Sequence, residues 1–117
     1  MPLPQVRIYH NARCSKSRST CALVAEKGRE ATVVNYLETP PDREELLWLL
    51  KMLGMTASQL VRRGEPVFQA NYQGREMTED EWLEALLAHP VLMERPIVVC
   101  GGRAVIGRPP ERVLEIL

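Results

Sequence analysis

Three cysteines, Cys14, Cys21 and Cys100, stand in this chain of 117 residues, and one of them has the surroundings of a nucleophile. Cys14 lies in YHNARCSKSR, four residues after His10 and flanked by hydroxyl and cationic side chains. The residues before this loop, 6–9, are β-branched or aromatic and predict a strand, while 15–27 carry helical spacing that stops at Gly28. Cys14 is therefore expected where a strand turns into a helix. The first N–H groups of a helix have no internal partners and form the positive end of its dipole, so a thiolate there is favoured over the thiol. Cysteines so placed fall from about 8.5 into the range ~3.5–7.5. The same N–H groups cradle a tetrahedral oxyanion such as phosphate, sulfate or arsenate. One short loop thus offers both a nucleophile and an anion site.

A second set of anion-binding groups comes from the end of the chain. IVVC and RAVIG flank Gly101-Gly102, a two-residue hairpin signal. That turn pairs Cys100 with Arg103 and brings Arg95 opposite Arg108, with Cβ atoms about 5 Å apart if the ladder extends that far. Like charges at that separation repel unless an anion lies between them, and planar guanidinium forks suit a tetrahedral oxyanion. Taken alone, the two arginines equally suit solvated ion pairs with Glu94 or Glu111. Each, however, precedes a proline, in RPIVV and GRPPE, and such a bond can be cis and can hold a loop against a neighbouring site.

These residues need a frame. After the first helix a strand is predicted over 32–37. ETPPDREELLWLLKMLGM predicts a helix over about 42–53 with Gly54 as its stop, and TASQLVRRG a short helix that begins near Thr56 or Ser58 and ends at Gly64. The stretch through Asn71, Tyr72, Gln73 and Gly74 reads as a loop. TEDEWLEALLAHP carries Thr78 as N-cap, Glu81 as its capping-box partner and Pro90 beyond its end, and PPERVLEIL predicts a closing helix from about Pro110. Trp48 and Trp82 are expected in the core, Glu79, Asp80 and Glu81 as complement to a helix dipole, and His89 as a capping or surface group. Cys21 and Cys100 read as small buried or half-buried residues. The class is α/β: a thioredoxin-like mixed four-stranded sheet, with a right-handed parallel βαβ opening and an antiparallel hairpin. A single domain, 1–117, is expected, with a helical insertion over about 42–89.

Composition narrows the function. Fifteen basic and fifteen acidic residues give zero formal charge, which suggests neither a nucleic-acid binder nor a membrane-surface protein. No apolar run approaches the ~20 residues of a spanning helix, and MPLPQVR lacks a signal segment, which points to the cytoplasm. An odd cysteine count without C-x-x-C argues against a disulfide scaffold or a structural metal. Seven residues of helix put Cys14 and Cys21 about 10 Å apart, beyond the ~7 Å Cα limit for a bridge, so a Cys14 intermediate calls for an external thiol.

IYHNARCSKSR, YLETPP, LMERPIVV and IGRPPE occur in the order and spacing of the glutaredoxin-coupled arsenate reductase family, which the chain resembles over almost its whole length. The resemblance implies Cys14 as nucleophile and Arg62, Arg95 and Arg108 as oxyanion ligands, with Arg63 as the alternative to Arg62. It implies that His10 and Ser17 help keep Cys14 as thiolate, while Asn11 either orients the loop or binds the anion. The implied substrate is arsenate or a similar oxyanion, with glutathione as reductant, glutaredoxin as partner, and no bound cofactor or metal. One departure stands in the loop, where the family's usual proline is Ala12, so a φ constraint is lost and an N–H gained. Two other readings use the same loop: another glutathione-dependent thiol reductase or transferase, and an Spx-like transcriptional regulator. The regulators typically carry C-x-x-C, whereas Asn11 and Ser17 stand three residues either side of Cys14.

Overall fold

The computed structural model describes residues 5–117, so the first four residues of the MPLPQVR reading lie outside the described residues. The chain forms two compact units, one made of residues up to Thr39 together with Arg95–Leu117, the other of Pro40–Glu94.

The first unit holds β1 (Val6–His10), α1 (Ser15–Glu26), β2 (Ala31–Asn35), β3 (Ile97–Cys100) and β4 (Arg103–Ile106). The sheet runs β2-β1-β3-β4, with β1 parallel to β2, and β3 antiparallel to both β1 and β4. This is the thioredoxin-like mixed sheet that the sequence led us to expect. Central strands covered on both faces read as continuous apolar runs, and all four residues of β3 are buried. Val6 and Ile8 of β1, Val24 of α1, Val98 and Cys100 of β3, Val105 of β4, and Val113 and Ile116 near the end form one core cluster. The helix is thereby fixed against the sheet, and with it the loop that joins β1 to α1.

The hairpin register is the expected one: Cys100 pairs with Arg103 and Ile97 with Ile106. Gly101 and Gly102 sit at φ 60° and 78°, the left-handed values that this turn requires at both central positions. Beyond the ladder, the Gly107 N–H donates to the Pro96 carbonyl at 2.9 Å. Two expectations shift. β2 ends at Asn35, whose side-chain oxygen accepts the Leu37 N–H at 3.2 Å in an Asx turn, so the strand stops before residue 37. The closing segment Pro110–Glu115 is 3-10 and not α: Arg112 N–H reaches the Pro109 carbonyl and Ile116 N–H the Val113 carbonyl, both at 3.1 Å. In that geometry residues three apart eclipse, which turns Val113 and Ile116 together into the core.

The second unit, within which the expected insertion 42–89 falls, is helical. Asp42 caps α2 (Arg43–Leu53) by accepting the Glu45 N–H at 2.9 Å, and Gly54 ends it at φ 67°. α3 (Ala57–Leu60) is one turn and does not run on to Gly64, because Val61 leaves the helix to bridge Met93 while the Arg62 N–H donates to the Leu92 carbonyl at 2.7 Å. α4 (Pro66–Asn71) lies in the stretch that reads as loop up to Gly74; Pro66 at its first position is pre-set for a helix. α5 (Glu79–Ala88) has the Thr78–Glu81 capping box. Glu79 also accepts from Ser58, at 2.6 Å from Oγ and 3.0 Å from N, tying α3 to α5. Trp82 is buried and stacked on Phe68 at 5.9 Å, and His89 ends α5 edge-on to Tyr72.

Trp48 corrects the sequence reading, being 44% exposed. The buried stripe of α2 is Leu46, Leu49 and Leu50, and at about 100° per residue Trp48 stands on the opposite side of Leu46. Among the described residues no helix is long and apolar enough to cross a membrane.

Candidate functional site

Cys14 is the N-cap of α1, with extended backbone at φ −95° and ψ 122°. The residue is 8% exposed and its thiol makes no side-chain cap bond, yet the N–H groups of Ser17 and Lys16 face the sulfur. Arg108 Nη2 donates to Cys14 Sγ at 3.3 Å, and Arg108 Nε donates to the Arg95 carbonyl at 2.7 Å. The Arg95 side chain also hydrogen-bonds the sulfur. Burial pushes this thiol up, but the Ser17 N–H, the Arg95 side chain, the Lys16 N–H and the Arg108 charge outweigh it and hold Cys14 below its ordinary value. A sulfur so placed favours the thiolate form, with two guanidinium groups beside it.

Both arginines reach it because the hairpin delivers them. The bonds Arg95-Pro96 and Arg108-Pro109 are cis, and Gly107 sits between Pro96 and Thr20 of α1. A Cβ at Gly107 would stand 2.6 Å from Thr20 Oγ1 and 3.0 Å from Pro96 Cγ, so only glycine allows this approach. Thr20 is fully buried and its hydroxyl has no hydrogen-bond partner, which marks how tightly the helix and the hairpin end meet.

The loop itself is held at several points. Cys14 N–H donates to the Asn11 carbonyl at 3.0 Å, closing a β-turn over 11–14, and Asn11 Oδ1 accepts the Arg13 N–H at 3.0 Å. Asn11 N–H in turn donates to Ser17 Oγ at 3.1 Å, with both residues buried. Arg18 Nη1 donates to the Ala12 carbonyl at 2.8 Å. The Ser17 hydroxyl thus serves the loop backbone, while its N–H serves the sulfur. His10 Nδ1 lies 3.6 Å from Cys21 Sγ, and burial, helped by the Arg18 charge, lowers the histidine below its ordinary value, so it stays neutral at pH 7. Burial alone raises Cys21, which keeps that thiol protonated.

The structure therefore brings Cys14, Arg95, Arg108, Asn11 and Ser17 into one loop-and-hairpin site, with His10 directed at Cys21. Arg62 belongs to the second unit, where it pairs with Glu65 at 3.2 Å and Glu94 at 3.7 Å. Its neighbour Arg63 lies over Phe68 at 5.4 Å and Trp82 at 5.2 Å. The sequence reading took Arg18 only as one of the cationic side chains that flank Cys14, and passed over Gly107 and Thr20. Arg18 was visible as the residue four beyond Cys14, where a helix side chain reaches back over its first turn. Gly107 and Thr20 left no local signal. Among the described residues no three His, Cys, Asp or Glu side chains gather as metal ligands do.

The chain that carries this strand-to-helix cysteine and its two hairpin arginines on a thioredoxin-like sheet belongs to the ArsC family, whose model matches residues 9–116. It is 38% identical to an arsenate reductase of Neisseria meningitidis, over 98% of this chain and the whole of that protein. It is 52% identical to an Escherichia coli K12 protein described as "Uncharacterized protein YfgD", over 97% of each. Among solved structures, an arsenate reductase from Vibrio cholerae superposes with a TM-score of 0.93 at 45% identity, covering 99% of this chain and 100% of that one.

Proposed function

We propose that this protein reduces arsenate to arsenite with Cys14 as nucleophile. The observation that carries the reading is the Arg108 guanidinium at 3.3 Å from the sulfur of the residue at the N-cap position of α1. Family membership and the arsenate reductases at 38% and 45% identity support it. Arsenate docks on the loop N–H groups and the guanidinium groups of Arg95 and Arg108, which neutralise its charge and orient it for attack. The Cys14 thiolate forms a sulfur–arsenic bond, and one arsenate oxygen leaves as water after protonation. Two electrons then reduce arsenic(V) to arsenic(III), supplied by two thiols that end as a disulfide.

One thiol is that of glutathione, which adds to the arsenic with loss of a second oxygen as water. The other is that of glutaredoxin, which takes the glutathione sulfur as a mixed disulfide and leaves arsenic(III) on Cys14, from which water releases arsenite. Cys21 is a poor internal source, being protonated and engaged with His10. Ser17 and Asn11 act by shaping the loop, and His10 as a neutral group beside it. The chemistry calls for no bound metal or organic cofactor. No feature favours a polymerase-binding regulator.

A coupled assay with arsenate, glutathione and glutaredoxin tests the reading. Wild type should turn over, Cys14→Ser should not, and Cys21→Ser and Cys100→Ser should keep most of the activity. A wild type that is inert toward arsenate but reduces a glutathione mixed disulfide would replace this reading with a thiol transferase.

A further inference from the structure

The turn that presents Cys14 is bonded from inside by Asn11, through the Cys14 N–H on its carbonyl and the Arg13 N–H on its side chain. One bond comes from outside the turn by way of a long side chain: Arg18 Nη1 on the Ala12 carbonyl, at 2.8 Å. The backbone of Arg18 meanwhile donates to the Cys14 carbonyl at 3.1 Å, the first-turn bond of α1. A single residue thus grips the chain on both sides of Arg13. Ala12 is at the second position of the turn, where proline is the favoured residue because its ring fixes φ. Alanine leaves that φ free, and the Ala12 N–H donates to no protein group, so at this residue the Arg18 bond is the tie to α1, beside the Ser17 Oγ that accepts the Asn11 N–H at 3.1 Å.

We propose that Arg18 is the positioning residue of the nucleophile loop: its guanidinium ties the turn over 11–14 to the first turn of α1 and so holds Cys14 where the helix N–H groups and Arg108 meet its sulfur. The proposal deepens the reading of Cys14 as nucleophile and rests on it. Arg18 is exposed, so its value lies in holding the backbone and not in burial. A constraint supplied by a side chain can be replaced by one supplied by a ring, which separates this role from a mere contribution of positive charge.

The test is a cycle of Arg18→Gln, Ala12→Pro and the double variant. Amide exchange at Cys14 and iodoacetamide labelling of Cys14 at pH 7 are read on folded protein of checked melting temperature. Arg18→Gln should speed exchange and slow labelling by about three- to tenfold, the span of one net hydrogen bond. Ala12→Pro in that background should bring both back to within about twofold of wild type, since proline lowers the entropy of the open loop. Unchanged exchange in Arg18→Gln overturns the proposal. So does labelling that stays slow in the double variant while exchange recovers, because the lost quantity is then charge. Should wild-type Cys14 label as a free thiol does, the proposed reaction falls, and exchange still decides whether Arg18 restrains the turn.

Discussion

Two arginine pairs in this chain sit next to motifs of similar promise, and their surroundings differ. Arg95 and Arg108 spend their donors on a sulfur and a backbone carbonyl. Arg62 faces two carboxylates, Glu65 and Glu94, and Arg63 lies flat over two rings. A carboxylate partner cancels a guanidinium charge and an aromatic face holds it in a structural contact, whereas a bond to the Cys14 sulfur turns the guanidinium toward the nucleophile. The availability of a cation is therefore set by its neighbours and not by the motif that contains it.

The largest effect should follow from replacing the fork at the sulfur. Arg95→Lys or Arg108→Lys keeps the charge but loses the paired donors, and we expect oxyanion affinity to fall by about 1–3 kcal/mol, read by titration with arsenate or sulfate. Arg103→Lys, at the far end of the hairpin, is the control and should bind as wild type; an equal loss there would break the assignment.

Gly107→Ala should come next. Its Cβ would meet Thr20 Oγ1 at 2.6 Å, and overpacking of this kind costs about 1–3 kcal/mol. Denaturant unfolding measures the cost, and Cys14 labelling at pH 7 should slow as Arg108 is displaced. Unaltered stability would mean that the helix and hairpin end are less tightly joined than the geometry states.

Arg63→Ala should cost about 0.5–2 kcal/mol of stability through its two ring contacts, with oxyanion affinity unchanged. Weakened anion binding without loss of stability would reverse the contrast between the two pairs.

The smallest effect is a pH dependence of opposite sign at two cysteines. The folded value of Cys14 lies below its ordinary 9.0, so its contribution is full above that value and lost as pH falls through the folded one. Cys14→Ser should therefore cost more stability at pH 9 than at pH 6. Cys21 is pushed up by burial, so its contribution is present below 9.0 and lost as pH rises, and Cys21→Ser should cost less at pH 9. Unfolding curves at the two pH values give the comparison.

Much of this was legible in local pattern. The strand-to-helix placement of Cys14 followed from β-branched residues giving way to helical spacing at the loop, and the pairing of Cys100 with Arg103 followed from Gly101-Gly102, because turn length alone sets a hairpin register. The cap at Thr78 was equally local, since it is a contact between residues three apart. Trp48 was misjudged by counting apolar residues without their angle, and the one-turn α3 and the 3-10 ending depended on partners elsewhere in the chain. The contact of Arg108 with Cys14 spans 94 residues of sequence, and the fit of Gly107 against Thr20 depends on how a hairpin end meets a helix. Sequence by itself determined which residues could activate a thiol and where the chain would turn, because those are short-range properties of backbone and spacing. Only tertiary structure decided which arginines reach the sulfur, since a guanidinium's partners depend on packing across the sheet, and packing is not written in any one segment.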